Sequence, residues 1–600
     1  MSQLTSQDTE RTVVCSVNSE QEQIIGVTYQ HHTYYFNSRY NDEGVMEQWL
    51  AQSDMKNYAS VAFVIGMGNG SYLRRLRQEN SDMMIVCFEP LEEIVRINRK
   101  NPLNKNLFKK GKTIIISGKD AYKLLYQVTD ATVSFSNYLY VKLFIVPNYD
   151  VVFYDDVKKV IDMYREKITR MVLTRNTNIL FEQDANENVT DNMLDYVEQY
   201  SLSDLIDVFQ NVDKEMVPAI IVSAGPSLDK NIEELANAKN KAFIIAVDTA
   251  LNALHEKGIV PDIAVTIDPY KPLELFPGGE SNEIPFVMSI ESNKEIKKHH
   301  RGIRIYEDEA SAYVHRYNVK YNKRVVKLGT GGSVANTAYS LAYIVGFKTI
   351  IFVGQDLAYP NGKEHTEAAY HDDEKNTLPI EDSKRYFEVE GIDGEMVKTE
   401  QNMDAYRKWF EQAAQLIDEV HFIDATEGGA KIHGFQIMTL KDAIGEKCDE
   451  KTDIDFSELI RGMKPRFTED EKTEIYQDLL NFNKFSEKME KRIHVLMDLY
   501  RSIGNMSKEE ILKNTRLIKR ITAYNNWAVR SKDMAFLTRY ATYANYRVLD
   551  EAFEKREKYE DEIELIANNG IKLGEALLEG LRQMEKDFQK VILETEKKVS

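Results

Sequence analysis

His365 lies in AYPNGKEHTEAAYHD, an irregular polar stretch that also holds His371. A loop imidazole beside an anion site can exchange a proton near neutral pH, or stabilise a leaving phosphate as imidazolium. The plainer reading is an exposed loop histidine. Asp268, closing IAVTIDP, is a second candidate for proton transfer, and Asp248 closes KAFIIAVD just ahead of Thr249 and Asn252. Either carboxylate could hold a sugar or ribose hydroxyl. Neither forms the D-x-D spacing that would clamp a metal between diphosphate and protein, so no metal site is expected.

Two turns of small residues could supply the anion contacts. In AIIVSAGPSLDKNIEEL, Gly225 allows close backbone approach, Pro226 suits a first helical turn, and Ser227 adds a hydroxyl near exposed amides. Such a helix start could seat a phosphate without any lysine. The structural alternative is a tight strand-to-helix turn capped by Ser227 or Asp229. Thr330, Gly331, Gly332 and Ser333 form the second turn, ahead of SVANTAYSLAYIVG, and TIIFVGQD then brings Gln355 and Asp356 to a strand end. HFIDATEGGAKIHGF adds Glu427, Gly428, Gly429, Lys431 and His433, small and charged residues that could close over a ligand.

These residues need a frame that brings them together. AIIVSAG, KAFIIAVD, IAVTID, PFVMSI, RIYED, VVKLG, TIIFVGQD and HFIDAT are short apolar runs separated by helical stretches, the pattern of a parallel α/β sheet. In open sheets of this kind the carboxyl ends of the strands line the binding crevice, which would gather Ser227, Asp248, Asp268 and Asp356 in one cleft. An earlier α/β series starts near residue 60, where FVIGMGNGSYLRRL sets Gly66, Gly68 and Gly70 between strand and helix and Glu89 closes MMIVCFEP. That layout suits an adenosylmethionine or dinucleotide pocket, yet lacks the G-x-G-x-x-G spacing, so a retained Rossmann-like turn that is structural or binds something else is the alternative. Beyond about residue 445 the strand runs stop. Thr468 with Glu471 and Ser507 with Glu510 are capping boxes, and Phe482, Phe485, Met489, Ile493 and Leu496 recur at helical spacing, with His494 beside that stripe as a surface or packing residue.

The expected organisation is an N-terminal β and Rossmann-like domain over 1–200, a central α/β domain over 201–445, and an all-helical domain over 446–600. A chain of 600 residues is too long for one core. Its formal net charge of -19 argues against a nucleic-acid partner held through phosphates. Three well-separated cysteines suggest neither a disulfide framework nor a zinc site. No apolar run reaches membrane-spanning length and the first residues lack a signal-peptide pattern, so a cytoplasmic location without a transmembrane segment is expected.

IIVSAGPSLDKNIEEL, FIIAVDTALNALHEKGIVPDIAVTIDP, KLGTGGSVANTAYSLAYIVGFKTIIFVGQDLAY and IDATEGGAKIHG, spread over about 200–440, resemble the DUF115 family, specifically the motility accessory factors that glycosylate flagellin. The resemblance implies a glycosyltransferase that moves a nonulosonic acid, of pseudaminic or legionaminic type, from a CMP-activated donor to Ser or Thr hydroxyls of flagellin. CMP-nonulosonic acid is then the donor substrate, no further cofactor is required, flagellin is the partner with the helical domain a module to bind it, and self-association stays open. The core is also similar to bacterial sialyltransferases, in which Gly225, Pro226 and Ser227 match the turn at the nucleotide and Thr330 to Ser333 match the turn near the donor. Those enzymes often carry asparagine where this chain has Ala224, and His365 corresponds to their catalytic histidine by region. By that analogy the acceptor hydroxyl attacks the anomeric carbon with inversion, His365 or Asp268 takes the proton, and helix-end amides stabilise CMP as it leaves. Two alternatives stand beside this one: a pterin diphosphokinase, from the same superfamily, and a flagellin-binding chaperone without activity.

Overall fold

Short runs of branched and aromatic residues buried on both faces fix the centre of the protein. AIIV at Ala219–Val222, FIIAV at Phe243–Val247 and IAVT at Ile263–Thr266 are buried throughout, as strands covered by helices on both sides must be. The structure is a computed structural model and describes residues 11–19, 22–40, 42–52, 61–109, 111–133, 137–278, 283–308, 312–329, 331–369, 386–449, 452–541 and 562–600. Its contacts divide the chain into two compact units, Met1–Arg175 and Asn176–Ser600, with the division inside the helix Tyr154–Glu198. The change near residue 445 is therefore a change of secondary structure within one unit.

In the second unit the described residues form a nine-stranded sheet, parallel at every pairing. Its order across the sheet is Gln436–Ile437, His421–Asp424, Thr349–Val353, Ala219–Val222, Phe243–Val247, Ile263–Thr266, Phe286–Met288, Arg304–Tyr306 and Tyr200–Ser201. From Ala219–Val222 the chain steps one way through four further strands, then returns to add Thr349–Val353 on the other side. The gap between these two neighbours is the topological switch point, where open α/β sheets bind ligands. Val325–Gly329, expected as a strand, joins no ladder. Its amides are satisfied by side chains instead: Val326 N–H donates to Asp308 Oδ2 at 2.8 Å and Gly329 N–H to Ser340 Oγ at 2.7 Å.

The tail is helical, with Phe482–Gly504 and Glu562–Val599 its longest described helices. Both expected capping boxes are present, at Thr468 and Ser507. Phe482, Met489, Ile493 and Leu496 are buried, Phe482 stacks on Phe588 with ring centroids 3.8 Å apart, and the imidazole of His494 is half exposed. Most of this stripe belongs to the same apolar core as the central sheet, which ties the tail to that sheet.

The first unit carries a three-stranded antiparallel sheet over Thr12–Val17, Gln23–Tyr29 and His32–Tyr35. Beside it in sequence comes a parallel sheet ordered Thr113–Ile116, Met84–Phe88, Val61–Ile65, Val141–Ile145, in the α/β series that starts near residue 60. Gly66, Gly68 and Gly70 all take positive φ in the turn after Val61–Ile65. A methyl group at Gly66 would come within 2.5 Å of the Tyr149 ring. Glu89 is fully buried, and its carboxylate accepts from Met67 N–H at 2.8 Å, Leu91 N–H at 3.0 Å and Tyr149 O–H at 2.6 Å. Burial pushes its pKa up to about 7 against those donors. The carboxylate expected to meet a ribose diol thus binds its own turn, as the structural reading of these glycines requires.

Candidate functional site

At the carboxyl edge of the nine-stranded sheet lies a cleft of about 950 Å³. Each strand of the central run ends in a polar residue that reaches it. Ser223 follows Ala219–Val222, Thr249 follows Phe243–Val247, Asp268 follows Ile263–Thr266, and Gln355 and Asp356 follow Thr349–Val353. Ser289 and Glu307 do the same beyond Phe286–Met288 and Arg304–Tyr306.

The two turns at the switch point are locked together. Gly225 N–H donates to the Gly354 carbonyl at 2.7 Å and Ser223 Oγ to Gln355 Oε1 at 2.6 Å. Ser227 sends both its N–H and its hydroxyl to Asp356 Oδ2, at 3.1 and 2.6 Å. The anion at this turn is therefore the protein's own carboxylate. Ser227 is buried and does not line the cleft, and the helix behind it, Leu228–Asn231, has four residues. The hydroxyl expected to face a phosphate is spent on a neighbour, and Pro226 beside it is also off the lining. A side chain at Gly225 would collide with Asp356 Oδ2, which is why only glycine fits there. Asp356 Oδ1 is buried without a hydrogen-bond partner among the described residues, and burial pushes this carboxyl up to about 6.

The same turn holds the loop of His365. Thr366 N–H donates to the Ala224 carbonyl at 2.8 Å, Glu367 N–H donates to Asp229 Oδ2 at 3.2 Å, and the Thr366 hydroxyl also meets Asp229. His365 lines the cleft and its ring donates to the Ala224 carbonyl. Burial, and then the Lys271 ammonium, lower its pKa to about 4, so the ring is neutral at pH 7. With one nitrogen fixed as donor, the other is an acceptor. His371 lies outside the described residues.

Asp248 is fully buried below the cleft floor; its Oδ1 accepts from Thr249 N–H at 2.8 Å and pairs with Lys271 Nζ at 3.0 Å. Lys271 itself lines the cleft. Asp268 lines it too and accepts from Tyr270 N–H at 2.8 Å, closing the turn that carries Lys271.

The N-terminus of the helix Val334–Val345 also reaches the cleft. Gly332, Ser333, Val334 and Ala335 line the cleft, and Ser333 Oγ caps Asn336 N–H at 3.3 Å. Gly332 has a φ of +96°, and a methyl group there would strike Tyr406. Gly331 packs its backbone against Asn336 and does not line the cleft. Thr330 lies outside the described residues. Lys431 and His433 are drawn off as well: Lys431 pairs with Glu390 at 2.6 Å, and His433 Nδ1 meets Glu411 at 2.7 Å. Glu427 at a φ of +59° accepts from Asn231 and from Leu440 N–H, each at 3.0 Å, so the turn after His421–Asp424 is held as structure.

Several lining residues escaped the sequence reading. Lys271, Lys327 and Arg539 supply positive charge and Glu307 negative charge. Glu307 directly follows the strand Arg304–Tyr306 within RIYED, much as Asp248 follows Phe243–Val247, so that signal was present. Arg539 comes from the helix Lys532–Tyr540 of the tail and pairs with Glu291 at 2.5 Å, which nothing local in the sequence announces.

Comparison with known proteins adds three likenesses. Residues 187–362 match the family model of 6-hydroxymethylpterin diphosphokinase MptE-like proteins. An uncharacterized protein of Treponema pallidum (strain Nichols) is 43% identical over 51 residues, which is 8% of this chain and spans only 24% of that protein. A solved structure of the MAf glycosyltransferase from Magnetospirillum magneticum AMB-1 is similar over 97% of this chain and 92% of its own, with a TM-score of 0.51 at 12% identity. The α/β architecture with a largely helical C-terminal region is thus one that a glycosyltransferase also uses.

Proposed function

We propose that the cleft binds a CMP-activated nonulosonic acid and transfers the sugar to serine or threonine hydroxyls of flagellin. The observation that carries this reading is the switch-point cleft itself: strand-end hydroxyls and carboxylates meet Lys271, Lys327, Arg539 and the N-terminus of Val334–Val345 in one space. A donor of this class bears a phosphodiester and a sugar carboxylate, two anions with many hydroxyls between them. Lysine and arginine side chains and helix-end amides suit the anions, and carboxylates such as Asp268 and Asp356 suit the hydroxyls. The fold shared with a glycosyltransferase supports the same reading.

The acceptor oxygen attacks the anomeric carbon, the carbon–oxygen bond to phosphate breaks, and its electron pair leaves with CMP. Lys271 and the Val334–Val345 amides offset the charge gained by the phosphate. His365, neutral and held by the Ala224 carbonyl, lines the cleft, and no covalent enzyme intermediate is needed. Flagellin as acceptor, the tail as the part that grips it, and a cytoplasmic site of action belong to this proposal; no described helix is long and apolar enough to cross a membrane.

Purified protein with CMP-nonulosonate and no acceptor should release CMP slowly, because water can replace the acceptor. A protein that leaves the donor intact, yet converts ATP to AMP with a hydroxymethylpterin, would refute the reading. That second activity, pterin diphosphokinase, is favoured by the family match over 187–362.

A further inference from the structure

The polar residues of the cleft run along the sheet from one end to the other, with Thr249, Asp268 and Lys271 between the two ends. Ser223, Gln355, Asp356 and His365 gather at the switch point. Ser289, Glu291 and Glu307 stand at the ends of Phe286–Met288 and Arg304–Tyr306, two and three strands beyond Phe243–Val247. The tail walls this second group: Arg539 binds Glu291, the Asn186 amide donates to the Arg539 carbonyl at 3.2 Å, and Tyr540 hydrogen bonds Thr190 at 2.7 Å.

We propose that this second half seats the acceptor and that Glu307 takes the proton from the acceptor hydroxyl. The inference rests on the transferase reading above. Two carboxylates share this end of the cleft, and their surroundings assign them different work. Glu291 is held by Arg539, its N–H donates to Ser289 Oγ at 3.2 Å, and its carbonyl accepts from Asn188 at 2.9 Å, so it closes the wall. Glu307 lines the cleft beside Ser289, whose hydroxyl acts to lower its pKa, with Lys327, Glu291 and Asp308 the charged groups around it. Its backbone is pinned by a bond from Glu307 N–H to the Met288 carbonyl at 3.2 Å. Burial first, and then the charges of Glu291 and Asp308, raise its pKa to about 7, against the opposing pull of Ser289 and Lys327. A carboxylate so placed can accept a proton in the reaction and return it to water afterwards. His365 is less suited, because a ring whose pKa lies at about 4 is a weak proton acceptor. The step balances: the acceptor oxygen gains the anomeric carbon, CMP departs with the electron pair of the broken bond, and the hydroxyl proton goes to the Glu307 carboxylate.

The test is transfer from CMP-nonulosonate to flagellin by the full chain, measured against pH for wild type, Glu307→Gln and Ser289→Ala, with CMP affinity measured beside it. Glu307→Gln should lower kcat by about 10²–10⁴-fold, leave CMP affinity within about twofold, and remove the fall in kcat that wild type shows below about pH 7. Ser289→Ala, a milder change, should move that fall to higher pH by withdrawing a donor from the carboxylate. Wild-type kcat and pH profile in Glu307→Gln, or an unmoved profile in Ser289→Ala, would overturn the assignment while leaving the transferase reading intact. A wild-type protein that transfers no sugar would instead overturn the reading beneath it.

Discussion

Replacing Ser227 by alanine separates two roles that its sequence context allows. The hydroxyl donates to Asp356 Oδ2 at 2.6 Å inside a buried turn, and the only other described donor to that oxygen is Ser227 N–H at 3.1 Å. A buried hydrogen bond to a charged group is worth about 1.5–3 kcal/mol, so Ser227→Ala should lose about that much unfolding free energy. The turn should survive, because the bonds from Gly225 N–H to Gly354 and from Ser223 to Gln355 do not involve Ser227. Urea unfolding of Ser227→Ala, Asp356→Ala and the double variant measures the pair directly, and the coupling should exceed about 1 kcal/mol. CMP affinity should change by less than about threefold, equivalent to roughly 0.7 kcal/mol, since Ser227 does not line the cleft. A stability change under about 0.5 kcal/mol combined with a tenfold or greater loss of CMP affinity would refute this, placing the hydroxyl on the ligand.

Gly225→Ala should be worse than Ser227→Ala, because the new methyl group collides with Asp356 and comes within 2.5 Å of the Gly354 carbonyl; thermal unfolding should show a loss of about 3 kcal/mol or more, beyond an ordinary overpacking. Lys271→Ala strands the buried Asp248 carboxylate, a change of about 3–5 kcal/mol, and Asp248→Asn in the same chain should restore most of the stability without restoring CMP binding. His365 makes stability depend on acidity. Its folded pKa of about 4 lies below the ordinary 6.5, so the unfolded chain binds the proton first and stability falls as pH drops from about 6.5 to 4. The loss should approach 3 kcal/mol, and urea midpoints across that range should flatten in His365→Gln.

The sheet was legible because its strands are buried on both faces and read as unbroken apolar runs, and because each ends in a polar residue. Asp268, Gln355 and Asp356 line the cleft for that reason, His365 lines it from a loop pinned to Ala224, and Asp248 lies under it, reaching it through Lys271. Val325–Gly329 misled because VVKLG has strand composition, while its amides find Asp308 and Ser340 side chains that no local pattern reveals. Ser227 misled for a related reason: its anion partner is a carboxylate 129 residues later in the chain. Arg539 was beyond reach, since only the packing of the tail on the central sheet carries it to Glu291. The hairpin Tyr386–Glu390 with Met396–Glu400 also went unseen, being short, polar and half exposed.

The most direct test of the whole account is the intact mass of flagellin after incubation with the purified protein and CMP-nonulosonate. The account predicts flagellin heavier by whole nonulosonic acid residues, with at least as much CMP released and the transfer slowed by about 10²–10⁴-fold in Glu307→Gln. Flagellin that binds the protein but keeps its mass would contradict it and leave a binding protein in place of a transferase.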